Sequence, residues 1–196
     1  MEWSLHIGGA HELASELWLS RFVEADRSQL TQPWSELAGR LLVTEFGDIR
    51  FTHCAFGNEF CEHLIPSVSA LQTALTAAQQ QQLSFTLLTP YVSNEGIAAL
   101  RPLFERLAGN GGGEVVFNDW GVLNLLRRDF PTLIPIQGRL LNKSLRDPRV
   151  TPMYATAPAP SSALNVLQRS NLDCESYAAL LTGLGVLCPR RSPAVL

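Results

Sequence analysis

The stretch EVVFNDWGVLNLLRRDFP, residues 114–131, changes its period in the middle, and that change decides the fold. Val115, Val116 and Phe117 form a short β-branched and aromatic run, whereas Val122, Leu123, Leu125 and Leu126 recur at the spacing of one helix face. Asn118 and Asp119 therefore stand where a strand passes into a helix. A carboxylate at that point accepts a backbone N–H and meets the positive end of the helix dipole, so Asp119 is the expected N-cap. Asn118 has no such duty and is the more informative of the two.

The same alternation extends in both directions. A strand is expected at about 49–55, then a helix from Ser67 carrying Leu71, Leu75 and Ala78. LSFTLLTPY supplies the next strand, and a helix follows from Asn94 with Ile97, Leu100, Leu103, Phe104 and Leu107. GNGGGE breaks the pattern as a linker turn, the Gln79–Gln82 run reads as a helix end, and TLIPIQGRLLN gives a fourth strand after Pro131. Strands apolar along their whole length and separated by helices run parallel and are covered on their faces. The fold class is α/β, a single domain of parallel βα repeats over residues 1–196. Residues 1–45 read as a helical lead-in, with Leu13, Leu17, Trp18 and Phe22 on one side of an amphipathic helix. Residues 147–163, rich in Pro, Ala and Ser, read as a flexible loop. Asp173 is expected to cap a last helix that stops at Gly183 and Gly185. The next element should be a strand, but the chain reads LCPRRSPAVL, with prolines at 189 and 193, so it looks truncated or like a natural half-barrel. An unfinished parallel sheet exposes an edge, and a homodimer or a protein partner is the expected consequence.

Composition narrows the function. With 46% hydrophobic and 17% charged residues in 196, the chain has the balance of a soluble globular domain. Its net charge is -3 and the basic residues are scattered, apart from Arg139, Lys143, Arg146 and Arg149, which argues against nucleic acid as the main partner. That small basic group is expected to be a solvated face. No run approaches the roughly 18 apolar residues of a membrane helix. The first residues lack a basic and then apolar leader, and the four cysteines form no CxxC pair, so a reducing, cytoplasmic compartment is expected.

In a parallel βα protein, sites gather where strands end at their carboxyl side. That rule selects His53, Cys54, Asn58, Glu59 and Cys61 after the first expected strand, and Thr89, Tyr91 and Asn94 after the second. Asn118 and Asp119 follow the third, and Gln137, Arg139, Asn142 and Lys143 the fourth, so a lined pocket is expected. For Asn94 and Asp119, helix capping is the better explanation. The densest group is THCAFGNEFCEHLIP, with two His, two Cys and two Glu, which suits zinc or iron by residue type but matches no compact finger or ferredoxin spacing. Cys54 reads as a structural cysteine, whereas Cys61, beside an expected helix start, ranks first for reactivity or metal ligation. His53 and His63 flank Cys61, so a Cys/His pair is conceivable, but there is no GxSxG elbow.

The sequence GGEVVFNDWGVLNLLRRDFP followed by PIQGRLLNKS resembles the peptidase U32 family of collagenase-like proteins, and FGNEFCEHLIP is similar to the Gly-Glu-x-x-Cys segment of its ubiquinone-biosynthesis accessory branch. The resemblance spans roughly residues 49–186 and rests on the succession of weak motifs. It implies a partial TIM-like barrel with Asn118, Asp119 and Gly121 at its mouth. It further implies a peptidase or, more often in that family, a partner in tRNA or ubiquinone hydroxylation, several members carrying an iron–sulfur cluster. Cys61 matches the early cysteine ligand of the accessory branch. Cys174 and Cys188 stand outside the motif of the three late ligands, which would lie beyond residue 196, and the peptidase signature is absent. The expectation is a non-peptidase accessory or scaffold protein linked to an iron–sulfur centre in anaerobic hydroxylation. The alternative is a hydrolase using a strand-end pocket with Cys61 or His53. The expected site residues are Cys61 for metal and, on the pocket rim, His53, Asn58, Glu59, Asn118, Asp119, Arg139, Asn142 and Lys143.

Overall fold

The computed structural model describes residues 3–7, 44–45, 51–142 and 170–186. Five strands, β1 (Trp3–Ile7), β2 (Phe51–Gly57), β3 (Ser84–Leu88), β4 (Gly113–Phe117) and β5 (Leu133–Gln137), form one sheet in sequence order. Every neighbouring pair is parallel. Helices α1 (Val68–Gln80), α2 (Asn94–Gly109) and α3 (Trp120–Asp129) join β2 to β3, β3 to β4 and β4 to β5, and α4 (Glu175–Gly183) follows later in the chain. Sequential parallel strands joined by right-handed crossovers put the connecting helices on one face of the sheet. Cys54, Phe56, Leu87, Val115, Phe117 and Leu133 share a single buried cluster with Leu71, Leu100, Phe104, Val122, Leu126 and Leu181 of the four helices. The architecture is the expected α/β one, with an open sheet consistent with a partial barrel.

Local sequence explains where the elements begin and end. Ser67, Ser93 and Asp119 each cap a helix, accepting from Ala70 N, Gly96 N and Gly121 N. Asn94, expected among the caps, is instead the first residue of α2. Asp173, expected to cap the last helix, belongs to the 3-10 turn Asn171–Asp173, where it completes a capping box with Ser170, and Cys174 is the residue preceding α4. The glycines after α2 form the linker turn, with Gly111 and Gly112 both at positive φ.

Two expectations are corrected. The helical lead-in over residues 1–45 contains a strand, because β1 pairs along β2 from Trp3 to Ile7. The strand expected at 49–55 runs on to Gly57, where φ reaches +119° and a Cβ would meet the Leu88 carbonyl oxygen at 2.5 Å. Only a glycine permits that closing turn. The amphipathic helix of residues 11–25, the loop 147–163, Lys143, Arg146, Arg149, Cys188 and the two last prolines lie outside the described residues.

The outer edge of β5, which no strand among the described residues pairs, is guarded. Gly138 N donates to Phe117 O, so the alternation of a strand turns the N–H groups of Ile136 and Ile134 toward β4 and the amide positions of Leu133, Pro135 and Gln137 the other way. Pro135 thus lacks its donor on the outer side, which discourages another strand from pairing there.

Candidate functional site

Because the strands are parallel, their carboxyl ends lie along one edge of the sheet, and the loops after β2, β3, β4 and β5 meet there. The centre of this edge is Asn118, which is fully buried. Its Nδ2 donates to Thr89 O at 2.8 Å and its Oδ1 accepts from Leu140 N at 2.9 Å. The amide therefore ties the end of β3 and the loop after β5 to β4. Gly138 leaves room for it, since a Cβ there would fall 2.2 Å from Asn118 Oδ1. Thr89, also buried, donates its hydroxyl to Val116 O at 2.8 Å.

Around this clamp the loops are braced across the sheet. Arg139 Nε donates to Glu59 Oε2 in an ion pair, and the guanidinium lies over the Phe60 ring at 4.6 Å. β2 and β5 are separated by three strand spacings, roughly 14 Å in a flat sheet. The bond between the loops that follow them reaches across β3 and β4 and braces the carboxyl edge. Tyr91 adds a second brace, its hydroxyl donating to Leu140 O at 3.1 Å. Asn58 Oδ1 accepts from Phe60 N at 2.8 Å and Cys61 N at 2.9 Å, which sets the shape of the β2 loop. Asn142 accepts from Ser170 Oγ at 2.5 Å and Asn171 donates to Leu141 O at 2.9 Å, joining the β5 loop to the segment before α4.

Asn58, Glu59, Cys61, Asn118, Asp119, Arg139 and Asn142 therefore all lie on the expected side of the sheet. His53 does not. It sits third in β2, opposite Ser84 at the start of β3, four residues or roughly 13 Å along the strand from Gly57. Its Nδ1 is 2.7 Å from Thr52 Oγ1. His53 already fell inside the strand expected at 49–55, so it belonged with the strand and not with the loop after it. Cys54 points into the core, and burial pushes its thiol up to about 12. Cys61 is half-buried at the rim and Cys174 is exposed.

Among the described residues, the polar side chains of the rim bond to backbone and to one another. A cleft of about 460 Å³ lies beside the amino end of β5, lined by Leu126, Arg127, Pro131, Leu133, Ile134 and Leu184, and none of the rim residues lines it. Among the aromatic side chains of the rim, Tyr91 was selected by its strand end, but Phe60 and Trp120 were missed. Phe60 is 60% exposed, Trp120 45% and Tyr91 44%. Phe60 and Trp120 each follow directly on an acidic residue just past a strand end, Glu59 and Asp119, and that was the available signal. His6, whose Nε2 lies 3.0 Å from Gly57 O, was missed along with β1.

Gln137 stands at the end of β5, its Oε1 accepting from Tyr177 at 3.1 Å, while its buried Nε2 has no partner among the described residues. Among the described residues no three His, Cys, Asp or Glu side chains converge to hold a metal ion, and no helix is long and apolar enough to cross a membrane. Compared with protein-family models, with curated proteins and with solved structures, the chain has no match.

Proposed function

We propose that this chain is a non-peptidase accessory or scaffold protein of the peptidase U32-like kind, serving anaerobic hydroxylation of the ubiquinone-biosynthesis type, and that it works by presenting the Cys61 loop to a partner protein. One observation favours the scaffold over a hydrolase that pairs Cys61 with His53. Nucleophilic catalysis needs a base within hydrogen-bond reach of the thiol, and the register sets His53 toward the opposite end of β2 from the Cys61 loop. Around Cys61 stand exposed apolar side chains, Phe60 and Leu64 foremost, of the kind that anchor protein interfaces.

The donor set decides how an iron–sulfur centre enters. Such clusters take four ligands, typically thiolates. Among the described residues no three such ligands converge. Cys61 enters the proposal as a single ligand to a centre completed by other residues or by the partner. If the partner is a second copy, β1 is the edge that favours pairing, because Pro135 obstructs β5.

Anaerobic purification followed by iron and acid-labile sulfide analysis tests the proposal. A brown protein that loses colour and iron on Cys61→Ala supports it. Colourless protein that cleaves peptides, with activity lost in Cys61→Ala or His53→Ala, overturns it in favour of the hydrolase.

A further inference from the structure

The turn that carries Cys61 is fastened to the neighbouring helix by a carboxylate. Cys61 precedes the 3-10 turn Glu62–Leu64 and its own side chain caps nothing. Asn58 fixes the near side of this turn through the N–H groups of Phe60 and Cys61. On the far side, Glu62 Oε2 accepts from Ser93 N at 2.8 Å, a bond that spans 31 positions of sequence. Ser93 is the N-cap of the 16-residue helix α2, so the Glu62 carboxylate lies at the positive end of that helix dipole. Gly96, in the first turn of α2, leaves the carboxylate its seat, since a Cβ there would fall 2.7 Å from Glu62 Oε2. The backbone N–H and the hydroxyl of Ser93 hold the Glu62 carboxyl below its ordinary range. Phe60 and Leu64, 60% and 59% exposed, flank the fastened residues.

We propose that Glu62 is a latch that sets the presentation of the Cys61 thiol. With the carboxylate seated on α2, the turn is held in one posture at the rim. When the carboxylate leaves, drawn off by a cationic side chain of an incoming partner, the turn swings free and carries the thiol with Phe60 and Leu64. Glu62 is a positioning residue and bonds to nothing that reacts. The use of the latch rests on Cys61 being the working thiol of the proposed function, but its existence does not.

The test is peptide-resolved iodoacetamide labelling of the full chain, purified free of metal, combined with amide hydrogen exchange over residues 58–66. Glu62→Ala should label Cys61 at least about threefold faster than the parent, as expected when a charge-assisted hydrogen bond is removed, with faster exchange over the turn. Glu95→Ala removes an exposed acid from the same helix end without touching the latch and should leave both rates unchanged. Equal Cys61 rates in the parent and Glu62→Ala, or an equal rise in Glu95→Ala, would overturn the proposal. Buried Cys54 reports on the fold. If it labels in Glu62→Ala, the isosteric Glu62→Gln supplies the decisive rate. An iron-free protein whose Cys61 responds to Glu62 keeps the latch and discards the cluster, whereas iron-loaded protein whose Cys61 ignores Glu62 does the reverse.

Discussion

Strand β2 and the loop after it contain similar residues in different surroundings. His53 and Cys54 lie within the strand, one half-buried and bonded to its neighbour, the other sealed in the core. Glu59, Cys61 and Glu62 lie in the loop, where each is placed by a long-range bond or by Asn58. As sequence, THCAFGNEFCEHLIP looks like one constellation. Gly57 divides it, because the left-handed turn at that glycine ends the strand and sends the remainder across the rim. Proximity in sequence therefore does not make a site here, and the groups that act together come from four different loops.

Thiol chemistry separates the two regions most sharply. With burial raising Cys54 from 9.0 to about 12, its thiolate fraction near neutral pH falls about a thousandfold. In the folded chain, Cys174 and Cys61 are expected to react with iodoacetamide while Cys54 stays intact until denaturant is added. Cys174 should lead at lower pH, because the Ser176 hydroxyl and the backbone N–H groups of Tyr177 and Ser176 favour its thiolate. Labelling of Cys54 at the rate of Cys61 would erase the distinction.

The next largest effect concerns the clamp. Asn118→Ala leaves Leu140 N and Thr89 O without their partner and should cost about 3 kcal/mol in urea unfolding. Gly138→Ala drives a methyl into the same amide and should cost a similar amount. Because both changes break one contact, the double variant should be clearly less destabilised than the sum. Additive losses would show that the clamp is not the shared cause.

Arg139→Ala tests the brace above it. The guanidinium is 62% exposed, so the pair contributes modestly, and about 1 kcal/mol is expected from the loss of both the Glu59 bond and the Phe60 stacking.

The smallest effect is on acid stability. The Ser93 bonds lower the Glu62 carboxyl, and the Arg128 and Arg101 guanidiniums hold Asp129 well below the carboxylate range. A lowered folded value means that each contribution is present above the ordinary carboxylate range and is lost as pH falls through the lowered value. The acid midpoint should therefore move upward in Asp129→Asn and, less, in Glu62→Gln, as read by circular dichroism.

Much of the architecture was legible because burial imposes periodicity. β3, β4 and α1 to α3 were evident from apolar spacing, and Asp119 from the chemistry of capping. β1 was not, since WSLHI alternates within a segment whose later residues follow a helical pattern. For the site, the sequence placed Asn58, Glu59, Cys61, Asn118 and Arg139 on one edge, because that follows from parallel strands alone. It did not foretell that Asn118 would be fully buried or that Glu59 would pair with a residue eighty positions away, as both depend on how loops distant in sequence pack together.

That brace is the central claim, and a cross-link measures it directly. In a chain carrying Cys61→Ser, Cys174→Ser and Cys188→Ser, thiols introduced by Glu59→Cys and Arg139→Cys are offered a short bismaleimide under native conditions. The account predicts an efficient intramolecular link between positions 59 and 139 that disappears in urea. Two singly modified thiols and no link in the folded chain would mean that the loops after β2 and β5 remain apart, and the braced rim would be contradicted.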